Sequence, residues 1–226
     1  MKLWLLYEDK HIVVAVKPPL VYVHPSPGHE TGTLTEALVK EYPEMADVGS
    51  KERPGVVHRL DAETSGVMVF ARTRQAYLKL REQFEHHGEV SKTYLAILHG
   101  APKESKGTLE CTIGRKPWDP HRMEIGAKDG KRAITHWEVL GKKNGLALVQ
   151  FTIETGRTHQ IRLVAAHLGC PVVGDKLYGD KAKDARMRKK APHLLLHAVS
   201  LEFKHPITGK PMAFSAPPPP EIIFAV

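Results

Sequence analysis

Residues 56–73 read VVHRLDAETSGVMVFART, so an apolar run, a polar turn and a second apolar run follow one another. Short β-branched runs bounded by turn residues are typical of strands, and we predict a strand on each side of the turn. Asp61 lies in this turn, with Arg59 before it and Thr64 after it. A carboxylate between apolar strands is either buried and paired or positioned for chemistry. In the simpler alternative, Asp61 bonds the following backbone through its own side chain.

The rest of the chain has a pattern of short strands interrupted by few helices. Thr33, with Glu36 three residues later, predicts the N-terminal cap of a first helix. Helices are predicted over 33–42, 74–88 and 159–169, and strands within 3–17, 92–100, 108–114, 133–140, 146–155 and 193–206. Because strands outnumber helices and often follow one another directly, we predict one α+β domain over residues 1–226, with a largely antiparallel central sheet flanked by helices and loops. Four consecutive prolines in the tail from about residue 216 cannot pair in a sheet, and we predict that this tail crosses the surface.

The chain carries a basic excess that suits a polyanionic partner. Lysine and arginine number 33 against 25 acidic residues, giving a net charge of +8 and a pI near 9.4. Each phosphate contact releases counterions and so favours binding. The segment KAKDARMRKK, residues 181–190, predicts phosphate contacts by Lys183, Arg186, Arg188, Lys189 and Lys190. A second basic group comprises Arg115, Lys116, Arg122, Lys128, Lys131 and Arg132. A solvated surface is the simpler interpretation of both groups.

Several protein classes are disfavoured by composition. No apolar run approaches the ~20 residues that a membrane span needs, and no cleavable leader pattern opens the chain, so we expect a cytoplasmic protein. The two cysteines, Cys111 and Cys170, are far apart and are expected to be reduced thiols. We also expect a monomer, because the sequence has no apolar seam for self-association.

A second polar segment, GRTHQIRLVAAHLG at 156–169, lies where a predicted strand meets a predicted helix. Arginine at such a junction can form a bidentate pair with a carboxylate and keep it ionised. The alternative is anion capture at the start of the helix without catalysis.

Five segments in a fixed order resemble the RluA-type family of pseudouridine synthases. They are HRLDAETSG (58–66), KTYLAILHG (92–100), GRTHQIR (156–162), GDKLYG (174–179) and LLLHA (194–198). The resemblance extends from about residue 5 to about residue 215. It implies the pseudouridine synthase fold with a catalytic cleft, an RNA substrate such as a tRNA arm or an rRNA stem-loop, and a reaction without cofactor or metal.

The resemblance also implies residue roles. Asp61 would be the catalytic carboxylate, Tyr94 would lie against the uracil, and Arg162 would pair with Asp61. Arg59 would enter the RNA where the uridine leaves the stack, because a stacked base cannot be reached by an enzyme. Further RNA contacts are expected from His58, Thr64, Arg157 and His159. The carboxylate could attack the sugar, add to the pyrimidine or assist elimination to a glycal, and the sequence leaves these routes open.

This chain departs from the family pattern near its N-terminus. It reads VKPPLVYVHP, so Val16 and Leu20 replace the usual asparagine and glycine. We expect a different loop path and an altered substrate preference. We also expect a stand-alone catalytic region without the small upstream RNA-binding domain of many relatives, and therefore RNA recognition by its own surface.

Three other interpretations remain at this point. In an aspartyl-phosphate phosphohydrolase, Asp61 would be the nucleophile and Asp175 and Asp180 would bind magnesium, but the strand–helix alternation of that class is missing. In a metalloprotein, His193 and His197 would bind the metal because they are four residues apart. They lie, however, in a strand-like run that lacks the glutamate of a HExxH motif. A non-catalytic RNA-binding module would need the basic surface but not Asp61, Tyr94 and Arg162 together.

Overall fold

A computed structural model describes residues 1–86, 88–187 and 191–223. The strands are β1 (Leu5–Glu8), β2 (Ile12–Lys17), β3 (Gly49–Ser50), β4 (Arg53–Pro54), β5 (Ser65–Ala71), β6 (Ser91–His99), β7 (Lys106–Lys116), β8 (Asp119–Ile125), β9 (Lys131–Lys143), β10 (Leu146–Ile153), β11 (Leu196–Lys204) and β12 (Pro211–Ser215). The helices are α1 (Leu34–Glu41), α2 (Arg74–Glu85), α3 (Gln160–His167), α4 (Lys181–Met187) and α5 (Pro220–Ile223), with a 3-10 turn at Pro43–Asp47. The predicted α+β fold with a largely antiparallel sheet is confirmed.

The chain forms two compact units. The first comprises residues 1–91 and 198–216, and the second comprises 92–197 and 217–226. That the whole chain is one domain stays a prediction. Within the part of the chain that the structure describes, no helix has the length and apolarity required to cross a membrane.

The first unit is built on strands that are buried along their whole length. Every residue of β2 and β5 is buried, and the two strands pair antiparallel with Val14 opposite Val69. Such continuous β-branched runs are typical of central strands that are covered on both faces. β1 pairs with β2, and β12 pairs with β11. Gly66 lies where β5 approaches β11, and a side chain there would overlap the backbone of Ala198.

Both predicted helices of the first unit are present. Thr33 caps α1 by accepting a hydrogen bond from the Glu36 N–H at 3.2 Å, as predicted. The buried face of α2 includes Ala76 and Leu80, whereas Leu78 points to solvent.

The second unit contains an antiparallel sheet with the order β6-β10-β9-β7-β8. Along β10 half-buried and buried residues alternate, which is the period-two pattern of a strand with one face on the core. α3 packs through Leu163 against Ile113 and Ala133 of this sheet. The site residues of the second unit lie on β6 and at the start of α3.

Two local predictions were wrong, and one strand was not predicted. Val56 forms an isolated bridge to Phe70 instead of a strand, because Gly55, with φ +69°, turns the chain immediately before it. The tail does not simply cross the surface, because residues 220–223 form α5 and its Ile222 is buried among Ile97, Val173 and Leu195. Strand β8 was not predicted, since DPHRMEI is mostly polar, although it pairs with β7 directly across a two-residue turn.

Candidate active site

Asp61 begins a tight turn that leads into β5, which we call the Asp61 turn (residues 61–64). The Thr64 N–H donates to the Asp61 carbonyl oxygen at 3.1 Å. Thr64 and Ser65 are buried, so the end of the turn is fixed in the core, whereas Asp61 is half-buried. Because the backbone closes the turn, this closure does not require the carboxylate. The Asp61 carboxylate therefore stands on a rigid support at the surface of the first unit.

A fully buried lysine, Lys17, binds the backbone of the Asp61 turn. The Lys17 ammonium donates to the carbonyl oxygens of Pro18 at 2.9 Å, Val21 at 2.8 Å and Ala62 at 2.8 Å. A neutral amine has two N–H donors, so three acceptors match the ammonium form. Burial lowers the pKa of Lys17 to about 7, and the charge of Asp61 opposes this shift. Lys17 therefore joins the loop 18–21 to the Asp61 turn.

The sequence analysis missed this role of Lys17. The available signal was its position directly after the apolar run of β2 and before two prolines, where a surface lysine would be unusual. Nothing local shows that three carbonyl groups from two segments converge on its amine.

His58 holds the segment that precedes Asp61. Its Nε2 accepts a hydrogen bond from the Val69 N–H at 3.1 Å, so the ring is neutral with the proton on Nδ1. The ring also stacks on Phe84 at a centroid distance of 4.4 Å. Next to it Arg59 is exposed and Leu60 is buried, which directs Arg59 toward solvent. His58 thus has a positioning contact, and its predicted contact with RNA stays a prediction.

The two departures from the family pattern have different structural consequences. Val16 is buried in β2. Leu20 is 57% exposed and has φ +64°, a left-handed conformation that favours glycine. The loop thus has a glycine-compatible backbone at Leu20, and the leucine carries the resulting strain.

In the second unit, Arg162 is the centre of a buried ionic cluster. Its Nε donates to Asp175 Oδ2 at 2.8 Å and its Nη2 to Asp175 Oδ1 at 2.7 Å, a bidentate pair. Oδ1 also accepts from the backbone N–H groups of Leu177 at 2.9 Å and Tyr178 at 3.0 Å. Burial raises the pKa of Asp175, but Arg162 and these N–H groups outweigh burial and lower that pKa from its ordinary value. Arg162 and Asp61 belong to different units, and their pairing stays a prediction.

Tyr178 completes this group, which we call the Arg162 cluster (His159, Arg162, Asp175 and Tyr178). The Arg162 guanidinium carbon lies 5.3 Å from the centroid of the Tyr178 ring. The Tyr178 hydroxyl accepts from the Met123 N–H at 2.8 Å and lies 2.9 Å from His159 Nδ1. His159 has φ +57° and precedes the first residue of α3. The segments GRTHQIR and GDKLYG are therefore parts of one cluster.

Gln160 fixes the GRTHQIR segment to the sheet. Its Nε2 donates to the Ile134 carbonyl oxygen at 2.9 Å and to Thr135 Oγ1 at 3.0 Å. Its Oε1 accepts from Thr155 Oγ1 at 2.8 Å and from the Arg157 N–H at 3.0 Å. A buried amide satisfied at both ends specifies one position for the loop.

Tyr94 lies on β6 with Lys92 on the same face, since side chains two apart on a strand point the same way. Both are buried, and Tyr94 is opposite Phe151 of β10. Burial, together with the charge of Arg157, lowers the pKa of Lys92 to about 8. Arg157 itself donates from Nε to the Arg132 carbonyl oxygen at 2.8 Å.

The basic segment at 181–190 is helical over α4, and Lys183 and Arg186 are exposed on it. Arg188, Lys189 and Lys190 lie outside the described residues. Asp184 anchors the helix, because its Oδ1 lies 2.7 Å from His99 Nε2 and accepts from the Gly174 N–H at 2.8 Å.

The carboxylates proposed for magnesium in the phosphohydrolase alternative have other partners. Asp175 binds Arg162 in a bidentate pair. Asp180 caps α4 by accepting from the N–H groups of Ala182 and Lys183, both at 3.1 Å. Their donor-occupied oxygens disfavour that alternative.

Comparison with protein families gives a direct match. The family model described as RNA pseudouridylate synthase matches residues 11–167, more than half of the chain. An uncharacterized RNA pseudouridine synthase of Synechocystis sp. is 39% identical over 217 residues, covering 95% of this chain and 65% of that protein. The ribosomal large subunit pseudouridine synthase D of Xanthomonas campestris is 43% identical over 229 residues, covering 96% of this chain and 66% of that protein. This chain thus spans about two-thirds of the length of these curated relatives.

Solved structures give the same result for the fold. Human RNA Pseudouridylate Synthase Domain Containing 1 superposes with a TM-score of 0.75 at 28% identity, covering 96% of this chain and 84% of that one. Human RNA Pseudouridylate Synthase Domain Containing 4 also has a TM-score of 0.75 at 28% identity, covering 97% of this chain and 90% of that one.

Proposed function

This chain belongs to the RNA pseudouridylate synthase family, and we propose that it converts specific uridines of tRNA or rRNA to pseudouridine with Asp61 as the catalytic carboxylate. The observation that carries the proposal is the Asp61 turn. A half-buried carboxylate stands there on a turn fixed by Thr64, Ser65 and Lys17. A rigid support of this kind is what a nucleophile or base requires, because small misplacements cost much of the rate.

In the proposed reaction, the bond from uracil N1 to ribose C1′ breaks and a bond from C5 to C1′ forms. The hydrogen of C5 leaves as a proton, and N1 ends protonated. Asp61 acts by attack on C1′, by addition to the pyrimidine, or as the base in elimination to a glycal. Each route uses the carboxylate without a cofactor or a metal.

The second unit supplies the proposed partners of Asp61. Arg162 forms a bidentate pair with Asp175, and we assign it to orient Asp61 as well. Tyr94 packs against the uracil, which keeps the detached base trapped while it rotates. Both side chains are buried, which restricts their movement.

The RNA is bound through the basic surface. The exposed Arg59 stands two residues from Asp61 and enters the RNA where the uridine is flipped out. His58, Thr64, Arg157 and His159 support the site or contact the backbone, and α4 contacts phosphates through Lys183 and Arg186, followed by Arg188, Lys189 and Lys190. The name of the Xanthomonas relative refers to the ribosomal large subunit, which supports testing rRNA first.

The test is release of tritium from RNA labelled at uracil C5, with EDTA present and with rRNA and tRNA as separate pools. Release from one pool by the wild-type protein, lost in Asp61→Asn and retained in the control Asp129→Asn, is the expected result. Asp129 is an exposed carboxylate in a turn of the second unit, so its variant matches the change in charge. Activity in Asp61→Asn would overturn the assigned mechanism. RNA binding without release from either pool would support the non-catalytic binding module instead.

A further inference from the structure

The hairpin formed by β7 and β8 presents a tryptophan to solvent. Lys116 is opposite Asp119 in the register, so Pro117 and Trp118 form a two-residue turn at the tip. Trp118 is 91% exposed, the largest exposure among the large apolar side chains of the described residues. A side chain of this size at a hairpin tip buries little surface on folding, so its aromatic face is accessible to a binding partner.

The tip is structured rather than loose. Pro117 restricts the backbone immediately before Trp118, because its ring fixes φ. Asp119 Oδ1 accepts from the His121 N–H at 3.1 Å, and its Oδ2 lies 3.4 Å from Arg122 Nε. The backbone that carries the indole is therefore restricted before binding, so little further backbone entropy is lost when it binds.

The charge around the indole is positive. Arg115 and Lys116 are exposed immediately before the turn, and Arg122 follows it. The single carboxylate of the tip, Asp119, is paired with Arg122. An aromatic face flanked by cations is the arrangement that binds unpaired nucleotides, since bases stack on the ring and phosphates bind the cations.

The base of the same hairpin is joined to the Arg162 cluster. The Met123 N–H of β8 donates to the Tyr178 hydroxyl at 2.8 Å, and Ile113 of β7 packs with Leu163 of α3. Trp118 lies five residues from Met123, a span of at most about 18 Å for an extended strand. An RNA that reaches the Arg162 cluster can therefore also meet the hairpin tip.

We propose that Trp118 is a stacking platform for an unpaired base of the RNA, with Arg115 and Lys116 binding the adjacent phosphates. The proposal rests on the proposed function for the identity of the ligand as RNA. Stacking on one base is worth about 1–3 kcal/mol, so Trp118→Ala weakens binding by about 5- to 150-fold. Trp118→Phe keeps an aromatic face and retains most of the affinity.

The experiment measures dissociation constants of the full chain for two RNA probes of equal length, a hairpin with an unpaired loop and a blunt duplex. Trp118→Ala is expected to weaken binding of the hairpin much more than binding of the duplex, with an unchanged salt slope because no charge is lost. Trp4→Ala is the matched control, since Trp4 is also exposed, and is expected to bind like the wild type. Quenching of tryptophan fluorescence by the hairpin RNA should disappear in Trp118→Phe.

Equal hairpin affinities of the wild type and Trp118→Ala would overturn the proposal, as would equal losses for hairpin and duplex or no binding of either probe by the wild type. If Trp118→Ala instead abolishes self-association in sedimentation with unchanged RNA affinity, Trp118 contacts protein and the proposal is wrong.

Tritium release separates the two proposals. Stacking without release leaves this inference standing and removes the proposed function, whereas release with unchanged affinity does the reverse.

Discussion

At the scale of the residue, Lys17 is a charge in the core of the first unit. Its ammonium is surrounded by three carbonyl oxygens and lies within electrostatic reach of Asp61. Fixed hydrogen-bond acceptors replace water around the buried cation and so lower the free-energy cost of burying it. Burial nevertheless still disfavours the charged form. Its contribution to stability therefore depends on pH.

The first prediction concerns this dependence. The pKa of Lys17 falls from 10.5 in the unfolded chain to about 7 in the folded protein, so between these values the unfolded state binds more protons. The free energy of unfolding of the wild type, relative to Lys17→Met, should rise with pH in this window by up to about 1.4 kcal/mol per unit. Urea denaturation from pH 6 to pH 9 measures it. Lys79→Met, at an exposed site on α2, is the control, and a pH-independent difference for Lys17→Met would contradict the prediction.

The second prediction concerns Leu20. A non-glycine residue in the left-handed region costs about 1–2 kcal/mol, and the exposed side chain buries little that could offset this. Leu20→Gly should unfold with a free energy about 1 kcal/mol higher than Leu20→Ala, which keeps the strain. Equal urea midpoints for the two variants would show that the loop relaxes at no cost.

At the scale of the element, α3 and the segment GDKLYG are joined by one ion pair. Arg162 is on the helix and Asp175 is on the segment, and both are buried. Backbone N–H groups of its own segment also bind Asp175, but the opposite charge in this pair comes from Arg162 on the helix. Their association is therefore specified by electrostatics as much as by packing.

The third prediction follows from this pair. Asp175→Asn breaks the buried bidentate pair with Arg162 and should lower the free energy of unfolding by about 3–5 kcal/mol. Asp180→Asn, which weakens the cap of the exposed helix α4, should cost only about 1 kcal/mol. Urea denaturation compares the two. A similar small cost for both would mean that another group neutralises Arg162.

The fourth prediction concerns α4. Changing Lys183 and Arg186 together to glutamine should weaken RNA binding and reduce the slope of log K against log salt by about 1–2. The double change Lys40→Gln with Lys79→Gln, on exposed positions of α1 and α2, removes the same charge elsewhere. If both pairs reduce the slope equally, net charge and not α4 accounts for binding.

At the scale of the whole molecule, the basic excess affects which molecules the protein associates with. The net charge of +8 favours association with a polyanion and opposes self-association through repulsion. The fifth prediction is that sedimentation equilibrium gives the monomer mass of 25.2 kDa at low salt. Twice this mass would contradict the expected monomer.

The sequence by itself determined the family, the α+β class and the position of Asp61, because these depend on short contiguous motifs and on local periodicity. The capping of α1 by Thr33 could be predicted for the same reason. Only the tertiary structure decided that Lys17 supports the Asp61 turn and that Asp175 is a partner of Arg162.

The same holds for Leu20 and for the hairpin that presents Trp118. The left-handed backbone of Leu20 lies in a loop that Lys17 joins to Ala62, and β8 is a polar strand whose pairing with β7 its composition does not show. Hydrogen bonds and ion pairs between segments far apart in sequence have no local signal, so the composition of either segment leaves them open. Their geometry exists only once the chain has folded.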